Sequence, residues 1–177
     1  MANASGQRLT TELDRRPLMA GAEPIYIDQG EAGFLFLHGF TGSPYEARDL
    51  ANYFSRKGYA VWAPLLPGHG TSPEDLENIA YTEWLDAAEQ SYMEMKARYP
   101  KVYVCGQSMG GALALHIAAN HPVNAVITFA AAIIMEDWRL ALLPLAKKVL
   151  RYQHKSKGPD IRSAEAKARS ASYSKYP

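Results

Sequence analysis

Gly106-Gln107-Ser108-Met109-Gly110 is a G-x-S-x-G sequence, and the chemistry it offers is that of a serine nucleophile. A serine in so tight a turn between strand and helix has its hydroxyl pushed out at the carboxyl end of the strand. Gly106 and Gly110 are expected as elbow residues, because a Cβ at either position would collide with the neighbouring strand or helix. The helix that starts here aims free backbone N–H groups and its positive dipole end at the place where an anion would develop. A second segment, Gly33-Phe34-Leu35-Phe36-Leu37-His38-Gly39-Phe40-Thr41-Gly42, carries an apolar run straight into a His-Gly-Phe loop of small residues.

The elements needed to hold these two loops are legible around them. Lys101 to Cys105 is a short run of β-branched and aromatic residues, read as a buried strand, and Gly111 to Asn120 is a small, aliphatic helix. Phe34 to Leu37 is apolar throughout, as a strand covered on both faces would be. Pro44 to Lys57 reads as a helix with Ser43 as N-cap and Glu46 completing a capping box, ended by Gly58. Pro24 to Asp28, Tyr59 to Ala63 and Ala125 to Ala130 are further strands, and Pro64 to Pro73 is a loop. Thr82 to Tyr99 is a long helix with Trp84, Leu85, Ala88, Tyr92 and Met95 at helical spacing. Strands alternating with helices in this way predict an α/β fold with a largely parallel, three-layer sheet.

The motifs together resemble the α/β-hydrolase superfamily, and within it bacterial carboxylesterases and monoacylglycerol lipases. The matching residues are His38 to Gly42, Gly68-His69-Gly70 and Gly106 to Gly110, inside a resemblance that runs from about Glu23 to Ala132. It implies Ser108 as nucleophile, with the oxyanion held by the N–H groups of Phe40 and Met109. His38 and Gly39 would support that loop, and His69 would be a turn residue at the mouth of the site. The family inserts a helical cap after the strand that follows the elbow helix, so residues 135–177 are expected to be that cap. Trp138, Leu142 and Leu143 would then line the acyl pocket. Residues 1–22 are expected to be a flexible tail and residues 23–134 the N-terminal part of the hydrolase core.

One part of the family pattern is not found. Triad partners in this fold follow the serine in the order Asp or Glu, then His. His116 lies eight residues along the elbow helix from Ser108, about 12 Å down its axis. His121 sits at that helix's far end, where a carbonyl would satisfy it, and His154 is flanked by Lys155 and Lys157 in the expected cap. The catalytic Asp and His are therefore unassigned, and the rest of the core is expected outside these 177 residues.

Composition sets the remaining bounds. A formal net charge of +1 with scattered Lys and Arg leaves no nucleic-acid footprint. No apolar run is long enough to cross a bilayer, and the polar start lacks the apolar core of a signal peptide, so a cytoplasmic location is the default. The single cysteine, Cys105, reads as a small buried residue in its strand. No metal or cofactor is expected. The function implied is a serine ester hydrolase of lipid degradation, acting on a small-molecule acyl ester, with the cap touching lipid aggregates. Two alternatives stand beside it: a degenerate hydrolase-fold protein binding a small apolar ligand, and a thioesterase or carbon–carbon bond hydrolase of the same fold.

Overall fold

Period-two alternation in the strands sorts the apolar side chains onto two faces, and each face is covered by helix. The computed structural model describes residues 17–134, 151–154 and 171–177. Its central sheet comprises β1 (Ile25–Ile27), β2 (Ala32–Leu37), β3 (Ala60–Ala63), β4 (Lys101–Gln107) and β5 (Ala125–Phe129), in the order β1-β3-β2-β4-β5. All neighbours run parallel except β1, which pairs antiparallel to β3 at one edge. The helices are a 3-10 turn at Pro44–Ala47, α1 (Arg48–Arg56), α2 (Pro73–Leu76), α3 (Tyr81–Arg98) and α4 (Met109–Asn120).

On one face Leu35, Leu37, Trp62, Val102 and Val104 pack with Ala88, Tyr92 and Met95 of α3 and Leu113, Ala114 and Ile117 of α4. On the other, Phe34, Phe36, Val61, Ala63 and Cys105 pack with Ala47 and Ala51, and with Leu50 and Phe54 of α1. Phe34 and Phe54 stack at 3.9 Å between ring centroids. Burial pushes the Cys105 thiol up to about 12, so it stays protonated and serves as a small core residue. Among the described residues β5 pairs only with β4, and Ile127 and Phe129 are exposed on it. No helix among the described residues is long and apolar enough to cross a membrane.

Four readings from sequence change. The helix expected over Pro44 to Lys57 divides into the 3-10 turn and α1, and its capping box does not form. Ser43 Oγ is buried without a partner among the described residues, while Glu46 Oε2 accepts the Gly39 N–H at 2.9 Å. Gly39 N–H is buried and needs an acceptor, and the Glu46 carboxylate supplies it. The segment read as a tail, 1–22, is tied down where it is described: Met19 N–H donates to Gly70 O at 2.7 Å and Ala22 is buried. The loop after β3 ends in the single turn of α2. The fourth concerns the expected cap. Its described residues are extended rather than helical, with β6 (Gln153–His154) and β7 (Lys175–Tyr176) forming an antiparallel ribbon. Arg151 grips Glu77 with two hydrogen bonds, and Lys175 pairs with Glu74, which fixes the ribbon beside α2. Trp138, Leu142 and Leu143 lie outside the described residues.

Candidate active site

Ser108 stands between the end of β4 and the first residue of α4 with φ 52° and ψ −115°, a conformation that L-residues rarely adopt. Such backbone costs about 1–3 kcal/mol and persists only where the surroundings over-determine it. Here they do. Ser108 N–H donates to Phe129 O at 2.9 Å, and Ser108 O accepts from the N–H groups of Gly111, Ala112 and Ala132 at 3.0–3.2 Å. The turn is compact enough to require both flanking glycines. A Cβ on Gly106 would lie 2.0 Å from Gly110 O, and one on Gly110 would lie 2.0 Å from Leu37 O. The half-buried Ser108 side chain therefore sits at the carboxyl end of the sheet, against the start of α4.

The loop after β2 arrives at the same place. A Cβ built on Gly39 would stand 3.6 Å from Ser108 Cβ and 3.5 Å from Gln107 O, in van der Waals contact, so the two loops lie directly against each other. Gly39 O accepts from Gly42 N–H and from His38 Nδ1, both at 3.0 Å. In a trans peptide the C=O and the following N–H point in opposite directions. Holding Gly39 O inside the loop therefore turns Phe40 N–H outward. Among the described residues neither Phe40 N–H nor Met109 N–H has a hydrogen-bond acceptor. Two unengaged amides thus flank the serine, one from each loop.

Both histidines upstream of the serine are fully committed to this scaffold. Leu66 N–H donates to His38 Nε2 at 3.0 Å, which leaves the proton on Nδ1 for Gly39 O. Thr41 N–H donates to His69 Nε2 at 3.1 Å, and His69 Nδ1 donates to Pro67 O at 3.0 Å. Burial holds both rings neutral: the His38 imidazolium is pushed down to about 3, by desolvation and then by the neighbouring His69. His69 falls to about 4, by desolvation. Each ring's unprotonated nitrogen already accepts a backbone N–H, so neither ring can take a proton from Ser108.

Ser108 Oγ has no hydrogen-bond partner among the described residues, and the later histidines do not supply one. His116 Nε2 lies 3.2 Å from Glu89 Oε1, down the elbow helix. His121 Nε2 faces the same carboxylate at 3.4 Å, where a carbonyl at the helix end was expected, and its ring lies on Tyr92. His154 is exposed on β6. No three His, Cys, Asp or Glu side chains converge to hold a metal ion among the described residues.

Three supporting residues escaped the sequence reading or were misplaced by it. Glu46 was assigned to a helix cap, His69 to the mouth of the site, and Tyr173 to nothing. His69 is buried rather than at a mouth, packed against His38 and Tyr173. The Gly68-His69-Gly70 spacing did mark the turn, since Gly68 and Gly70 have φ 73° and 75°. Tyr173 had no signal, lying in a small, polar stretch with no periodicity.

The chain is 42% identical over 109 residues to a thermostable monoacylglycerol lipase of Bacillus sp. (strain H-257), covering 62% of this chain and 44% of that protein. It is 28% identical over 138 residues to a carboxylesterase of Bacillus subtilis (strain 168), covering 76% and 56% respectively. It thus spans about half the length of the curated relatives it matches. Among solved structures, one from a study of the metagenome-derived lipolytic enzymes LipS and LipT superposes with a TM-score of 0.82 at 32% identity, covering 91% of this chain and 65% of that one. The family model for the alpha/beta hydrolase fold matches residues 34–164, and the chain belongs to that family.

Proposed function

We propose that this chain carries the nucleophile and oxyanion half of a serine carboxylic-ester hydrolase, an esterase or lipase akin to the monoacylglycerol lipases. The observation that carries the reading is the strained Ser108 turn flanked by two unengaged amides, Phe40 N–H and Met109 N–H. Ser108 Oγ attacks the ester carbonyl carbon as its proton passes to a base. The carbonyl π electrons move onto oxygen, and the two amides receive that negative charge. Collapse of the tetrahedral adduct expels the alcohol, which takes up the proton and leaves an acyl group on Ser108. Water then attacks the acyl-enzyme by the same route and releases the acid. The base and its acidic partner come from outside the described residues, since every described histidine is engaged elsewhere or exposed. Similarity to a monoacylglycerol lipase and a carboxylesterase supports an acyl ester as substrate.

The test is covalent labelling of the full-length protein by a serine-directed fluorophosphonate, read by peptide mass spectrometry, alongside hydrolysis of a short-chain aryl ester. The label is expected on Ser108 alone, and Ser108→Ala should lower kcat by roughly 10⁶. Labelling at another residue, or an alanine variant that still turns over, would overturn the assignment. A wild type that hydrolyses no ester would favour a ligand-binding protein, and preference for thioesters would favour the thioesterase reading.

A further inference from the structure

We propose that Tyr173 is a positioning residue for the oxyanion loop, bracing the Phe40–Thr41 turn from a segment more than a hundred residues further along the chain. The inference rests on the reading of Phe40 N–H as an oxyanion donor. Thr41 is a β-branched residue at φ 65°, a conformation that must be imposed on it. Two groups from different segments impose it. His69 Nε2 accepts Thr41 N–H at 3.1 Å, and Tyr173 N–H donates to Thr41 O at 3.0 Å. Both polar groups of Thr41's backbone are thereby anchored, immediately after the residue whose amide is to meet the oxyanion.

Tyr173 also fixes the residue that provides the other anchor. Its hydroxyl donates to Gly68 O at 3.0 Å and accepts Thr71 N–H at 3.0 Å, so it ties together the two flanks of the turn that carries His69. Its ring lies nearly parallel to the His69 ring, at 9° between planes and 6.4 Å between centroids. Tyr173 itself is buried, at 3% exposure. The phenol is thus the common point through which the Gly68–Thr71 turn and the Phe40–Thr41 turn are held in one register. Loss of the hydroxyl frees Gly68 and Thr71, lets His69 shift, and loosens Thr41 N–H. Misplacing an oxyanion donor weakens binding of the transition state while leaving ground-state binding nearly intact.

Tyr173→Phe removes only the hydroxyl, leaving the ring and the backbone bond to Thr41 O. In the full-length protein, kcat for an aryl ester should fall about tenfold with KM within about twofold. Affinity for a phenylboronic acid, whose tetrahedral adduct on Ser108 places an oxygen in the oxyanion hole, should weaken in parallel. Hydrogen exchange at Thr41 N–H should quicken at least tenfold, while the β2 amide of Leu35 stays protected and reports an intact sheet. Unchanged kcat and unchanged Thr41 exchange would overturn the proposal. So would a kcat loss accompanied by faster exchange across β2, which is general destabilisation. A wild type with neither turnover nor boronate binding removes the catalytic reading instead. Exchange at Thr41, which needs no activity, then decides alone whether Tyr173 braces the loop.

Discussion

Lowering the pH from neutrality towards 5 should destabilise this fold through two buried imidazoles, His38 and His69. Each accepts a backbone N–H on its unprotonated nitrogen, so the native state holds both rings neutral well below their ordinary range, to about 3 and about 4. In the unfolded chain each returns to about 6.5. Between those values the unfolded state binds protons that the native state refuses, and stability falls as pH falls. The stabilisation is complete above pH 6.5 or so, and erodes through the window down to the folded-state values. At pH 5 both native rings are still neutral, so the loss depends only on the unfolded value. It comes to about 2 kcal/mol per ring, or about 4 kcal/mol together. Urea unfolding at pH 7.5 and pH 5.0 measures it directly. His69→Gln keeps a neutral acceptor for Thr41 N–H and removes one titrating ring, so its pH-dependent loss should be smaller by about 2 kcal/mol. The paired wild-type and variant curves cancel the other three histidines. The carboxylates held low by partners, Asp28, Glu74 and Glu77, act in the same direction but only below the window measured. A wild type equally stable at both pH values would refute the reasoning. So would a His69→Gln variant with an unchanged pH dependence, since its ring could then not be the titrating group.

Met109 occupies the first position of α4, where proline is tolerated, so Met109→Pro should fold while deleting one donor. Its kcat for ester hydrolysis should drop by about 10²–10³, and full activity at matched stability would refute the donor role. Ser108→Gly should abolish turnover yet raise stability by about 1 kcal/mol, because glycine adopts φ 52° without the strain; a lower melting temperature would show the turn to be unstrained. Gly110→Ala should destabilise by more than about 2 kcal/mol, since its Cβ would meet Leu37 O at 2.0 Å, and wild-type stability would contradict the close crossing. Cys105, buried with its thiol pushed up to about 12, should resist iodoacetamide at pH 8 until the chain is unfolded. Rapid alkylation of the native protein would contradict that burial.

The strand–turn–helix around Ser108 could be read from the chain because its causes are local. Small residues were needed where backbones cross, and a run of β-branched and aromatic residues gave way to a small, aliphatic one at the serine. The same holds for β2 and α3, whose apolar patterns depend on covered faces and need no particular neighbour. Glu46 shows where local reasoning fails. Its spacing from Ser43 fits a cap, but a buried Gly39 N–H seven residues earlier claimed the carboxylate. Tyr173 shows the stronger case: its partners Thr41, Gly68 and Thr71 lie about a hundred residues away or more, and no periodicity in its own segment points to them. By itself the sequence determined the sheet, its helical layers and the place of the serine, since burial patterns and glycine requirements are written residue by residue. Only the tertiary structure decided which buried polar group meets which, because each such pairing is a competition among all the donors and acceptors that folding brings together.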